Sequence, residues 1–72
     1  MTELDLLLLV SKILVIDESA VSLDSDLEAM GWDSLSNLSF ISEVDERLNR
    51  QMNAESLSNA KTVQDLLDIL NS

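Results

Sequence analysis

Proline is absent from this 72-residue chain, and glycine occurs once, at Gly31. These two residues most often break helices, so a helix here runs until a cap or a polar stretch ends it. No strict alternation of apolar and polar residues persists, and there is no internal repeat or low-complexity tract. The chain is therefore expected to be all-α, a single domain over residues 1–72. A domain this small buries only about 60% of the surface its unfolded chain exposes, so modest stability is expected.

The first helix is expected from about Thr2 to about Val15. Thr2 suits the N-cap, and Glu3 and Asp5 suit the positive end of the helix dipole. Its apolar residues are too dense to define one face. Asp17 to Met30 is rich in Asp, Ser and Glu, and Val21, Leu23, Leu27 and Met30 interrupt it irregularly. That pattern predicts a long first loop pinned to the core by a few apolar anchors. After Gly31, Asp33 is a good N-cap for a second helix ending near Arg50. Leu35, Leu38, Ile41, Val44 and Leu48 follow at three- and four-residue steps and predict its buried stripe. Asn53 to Asn59 suggests a short helix or turn anchored by Leu57. Thr62 with Asp65 has capping-box spacing before a last stripe of Val63, Leu66, Leu67 and Leu70. The expected fold is a small four-helix bundle, three principal helices and one short one.

Composition narrows the chemistry. Without Cys or His, the chain has no disulfide, no internal zinc site, and no Cys–His pair or Ser–His–Asp triad. Four Lys+Arg against 14 Asp+Glu give a formal charge of −10. Nucleic acid and anionic membrane surfaces would repel such a surface, whereas basic protein partners would be drawn to it. Solubility alone explains much of this acidity. The apolar run Leu6 to Val10 is too short for a signal-peptide core and is preceded by acids. No segment approaches transmembrane length. The chain reads as a soluble, cytoplasmic monomer, and its initial Met1 suggests a freestanding one. Asp24, Asp26 and Glu28 briefly resemble a calcium loop, but Ala29 and Leu35 stand where that loop needs Gly and Glu.

The informative segment is Gly31-Trp32-Asp33-Ser34-Leu35. It places a serine hydroxyl in the first turn of a helix, after a glycine-permitted bend. Helix-start amides lack internal partners and favour an anion, so a phosphodiester on Ser34 would sit in that field. A flexible preceding loop would leave the hydroxyl open to a modifying enzyme. Taken alone, Asp33 and Ser34 are ordinary capping residues. Trp32, the only Trp, is expected to cover the edge of the core, with contact to a ligand or partner as the alternative.

In context, the segment resembles the phosphopantetheine attachment motif of acyl and peptidyl carrier proteins, in which Asp-Ser-Leu opens the second helix. The first helix, the acidic loop with Val21 and Leu27, Gly31 before Asp33-Ser34-Leu35, and the start of the last helix at Thr62-Val63 fall in family order. The resemblance implies that a phosphopantetheinyl transferase moves 4'-phosphopantetheine from coenzyme A onto Ser34, flanked by Asp33 and Leu35. An acyl group is then held as a thioester and presented to acyl-loading and acyl-processing enzymes with basic docking patches. The carrier itself is not an enzyme. Partners of this family usually read the second helix, here Ser36, Asn37, Ser39, Glu43 and Glu46. Fatty-acid carriers favour acids in the first turns, where this chain has Ser36, Asn37, Ser39 and Ser42. That departure points to a dedicated secondary-metabolite, polyketide or specialised-lipid pathway. Met52 and Leu57 either shelter an acyl chain or simply pack the core, and packing is the simpler role. A peptidyl or aminoacyl carrier remains an alternative, although acidity and the lack of a fused domain favour acyl. So does an acidic helical adaptor without a prosthetic group, which would leave the placement of Ser34 unexplained.

Overall fold

The structure, a computed structural model, describes residues 2–49 and 51–71. It contains α1 (Glu3–Leu14), a single 3-10 turn (Glu18–Ala20), α2 (Ser34–Leu48), α3 (Ala54–Ser58) and α4 (Val63–Asn71). No strand occurs among the described residues, and the three longer helices with one short one match the expected bundle. α1 packs on α2 and α4, and α3 bridges α2 and α4.

α1 begins where its cap predicts. The Asp5 N–H donates to Thr2 Oγ1 at 3.2 Å. It ends at Val15, whose φ of 56° turns the chain left-handed. The dense leucines resolve into an inner face of Leu6, Leu9 and Val10 and an outer face with Leu4 and Leu8. At the other end of the chain, the Thr62–Asp65 capping box is reciprocal. The Asp65 N–H donates to Thr62 Oγ1 at 3.2 Å. The Thr62 N–H donates back to the Asp65 carboxylate at 3.1 Å. α4 buries Val63, Leu66 and Leu70, with Leu67 half-buried. Leu57 anchors α3, and both Leu57 and Met52 are core residues.

α2 departs from the expected stripe. Of that stripe Val44 is buried and Ile41 packs against the core as expected, but Leu35 and Leu38 are 71% and 61% exposed and Leu48 also faces out, and the buried line runs Ser36, Phe40 and Val44. The buried face is therefore rotated away from Leu35 and Leu38 towards Ser36 and Phe40, and meets the expected stripe again at Val44. Two things set that rotation. Asp33 takes the Ser36 N–H and hydroxyl at 3.0 and 3.2 Å, which draws Ser36 inward. The Phe40 ring, fully buried, fills the centre of the core, where an aromatic has more surface to hide than a leucine. The described helix stops at Leu48, with Asn49 left-handed at φ 50°. The expected end at Arg50 lies outside the described residues.

The long loop is not slack. Val21 and Leu27 are buried, and Leu23 and Met30 pack against the core. The loop also runs beside the start of α4. The Leu27 N–H donates to the Lys61 carbonyl at 2.9 Å, Val63 to Ser25 at 3.3 Å and Gln64 to Leu23 at 2.9 Å. These bonds replace the flexible approach expected ahead of Ser34 with a fixed one.

Candidate functional site

The site is built at the junction of the loop and α2. Gly31 has a φ of 89°, which other residues adopt only under strain, and it swings the chain into the helix. The Trp32 N–H donates back to the Leu27 carbonyl at 2.9 Å. Asp33 then caps α2, and Ser34 is its first residue, with an exposed side chain. The Ser36 amide above all, with the Ser36 hydroxyl and the Leu35 amide, holds the Asp33 carboxyl below the usual aspartate range, although desolvation opposes them. The helix start therefore already has its anion. A phosphodiester on Ser34 would stand beside an ionised Asp33 and not take its place.

Next to Ser34 lies an open groove of about 580 Å³ between the start of α2, α3 and the stitched loop. Its lining is about half polar and half apolar, with Asp26 and Glu28 from the loop, Asn37 from α2 and Lys61 before α4 among the polar residues. Leu27 and Leu57 form the apolar floor, and both are core residues. Asp26 turns its carboxylate onto the Glu28 N–H at 3.0 Å. Trp32 also lines the groove. Its ring meets Phe40 edge-on, with centroids 5.9 Å apart and planes at 69°. Its indole N–H donates to Asn37 Oδ1. Trp32 thus covers the edge of the core, as expected, and faces the groove as well.

Of the second-helix residues expected to meet partners, Ser39, Glu43 and Glu46 lie on one face of α2 at four- and three-residue steps, whereas Ser36 and Asn37 are drawn towards the core. Ser36 is 8% exposed, and its hydroxyl donates to the Asp33 carboxylate that caps the helix. Asn37 is half-buried and committed to Trp32. Ser39 and Glu46 are exposed, while Glu43 is half-buried and paired with Arg47 at 3.4 Å. Leu35 stays beside Ser34 as expected. Leu38, assigned to the core by spacing, joins it outside. Lys61 was missed, because only the loop-to-α4 bonds bring residue 61 to the groove. No helix of the described residues is long and apolar enough to cross a membrane.

Residues 5–70 match a family model described as a phosphopantetheine attachment site. No curated protein matches the chain.

Proposed function

Since the chain belongs to the phosphopantetheine-attachment family of carrier domains, we propose that it is an acyl carrier modified at Ser34 and serving a dedicated biosynthetic pathway. The carrier function and the covalent 4'-phosphopantetheine belong to the family. The residues present fit that group: the Ser34 side chain is exposed, a groove opens beside it, and Lys61 offers a cation on its wall. When attached, the group supplies the thiol that this Cys-free chain lacks, to hold a carried acyl group as a thioester.

The chain's own residues present and position. Ser34 Oγ loses its proton to the transferase and bonds to phosphorus as the pyrophosphate link of coenzyme A breaks. Asp33 fixes the first turn of α2 and so the direction of Ser34. Leu35 and Leu38 offer an apolar surface beside it to the transferase and to acyl-processing enzymes. Glu46 adds charge further along α2 for a basic patch.

One observation carries the reading: an exposed serine at the first residue of α2, inside a fold matched from residue 5 to residue 70. The dedicated pathway rests on α2, whose exposed Ser39 and Ser42 stand where fatty-acid carriers favour acids. A mass spectrum of protein purified from its own host tests the cargo. An arm bearing an acyl mass is expected. An aminoacyl mass would make the chain a peptidyl carrier, and protein lacking any arm would count against the carrier reading.

A further inference from the structure

Three holds fix Trp32 in place. Its backbone N–H is bonded to Leu27, its indole N–H to Asn37, and its ring edge rests on Phe40. The ring lines the groove beside Ser34 and also meets Phe40, a residue with no exposed surface. Trp32 therefore stands between the attachment residue and the centre of the core. The rest of the groove floor, Leu27 and Leu57, is close-packed. Its walls carry Asp26, Glu28 and Lys61, whose charged heads an alkyl chain would strip of water at a cost.

We infer that Trp32, latched by Asn37, closes the bundle to the group carried on Ser34, and that the groove instead takes a short acyl group bearing hydrogen-bonding oxygens. This rests on Ser34 being the attachment residue. A long alkyl chain finds no entry to the core, and in the groove outside it its length would run past Trp32 and Leu57 onto the charged heads of Asp26, Glu28 and Lys61. A short hydroxyacyl or oxoacyl group finds donors and a cation at Asn59 and Lys61.

The test loads the protein from butyryl-, 3-hydroxybutyryl- and decanoyl-coenzyme A and follows Tm and the backbone amide spectrum. In the wild type, decanoyl and butyryl forms should melt within about 1 °C of each other, because no added methylenes are buried. The 3-hydroxybutyryl form should shift the amides of Asn59 and Lys61 and leave those of Leu9 and Val44 unmoved. In Trp32→Ala the decanoyl form should melt about 5 °C or more above the butyryl form. Asn37→Ala, which keeps the ring but frees the indole, should show the same rise in smaller measure and carries the test should Trp32→Ala fail to fold. A chain-length-dependent Tm in the wild type overturns the latch. So does the absence of any rise in the folded variants. Unmoved groove amides overturn the choice of cargo. A protein that accepts no arm at all overturns the attachment reading, a failure visible in the mass before any Tm is measured.

Discussion

Asp33 and Asp65 do similar work at two helix starts, and both carboxyls are held below the ordinary aspartate value. For Asp65 the chief cause is the Lys61 N–H at 2.9 Å, followed by the Thr62 N–H at 3.1 Å. A lowered value means that the fold binds the proton more weakly than the unfolded chain does. The stabilisation is then present above the ordinary 3.8 and lost as pH falls through the lowered value. Melting curves against pH should show wild type above Asp65→Asn near neutrality, with the gap closing below pH 3.8. A gap that persists in acid would place the effect elsewhere. Thr62→Ala should cost about 1 kcal/mol in denaturant unfolding, since it removes one side of the box. These caps were legible in the sequence because capping is local: four consecutive residues contain both partners. Ser36 was not legible, because only the completed turn shows that Asp33 draws its hydroxyl inward.

Among the elements, α4 followed from its sequence in bounds and face, α1 in bounds alone, and α2 in its start at Asp33 and in Val44 but not in the face of its first turns. Leu35, Leu38, Ile41, Val44 and Leu48 step as regularly as Val63, Leu66 and Leu70, yet of the first set only Val44 is buried, with Ile41 packed beside it, while Leu35 and Leu38 face out. Periodicity finds an apolar face but cannot tell a core face from a docking face. The single Phe, on the other side of α2, was the available sign of the true rotation. If the exposed Leu35, Leu38 and Ser39 are the proposed partner surface, enzymes that seek acids in the first turns of α2 should use the chain poorly. A Ser39→Glu, Ser42→Glu variant, changed only at exposed positions, should gain activity with fatty-acid elongation enzymes when loaded. A wild type already as active as a fatty-acid carrier would end the dedicated-pathway reading and leave the carrier function standing. The end of α1 offers a separate test. Val15 is β-branched, left-handed and 87% exposed, so Val15→Asn should raise stability by about 1 kcal/mol. An unchanged or lower unfolding free energy would show that Val15 is not strained.

Across the whole molecule, a net charge of −10 is carried on a small body. Such a surface repels itself, more so at low ionic strength. Raising salt from about 10 to 150 mM should raise Tm, and indifference to salt would show that self-repulsion is unimportant. The family order of elements was legible from the sequence, but the groove was not. Its walls come from residues 26 to 61, joined by loop bonds that no local pattern announces. On the reading proposed above, this architecture presents a single hydroxyl, that of Ser34, at the head of α2. The direct test is the mass of the protein after incubation with coenzyme A and a broad-specificity phosphopantetheinyl transferase, for wild type and Ser34→Ala, with the modified peptide sequenced. One arm on the wild type, on the peptide at Ser34, and none on Ser34→Ala is the predicted result. An unmodified wild type, or a labelled Ser34→Ala, would contradict the assignment of Ser34.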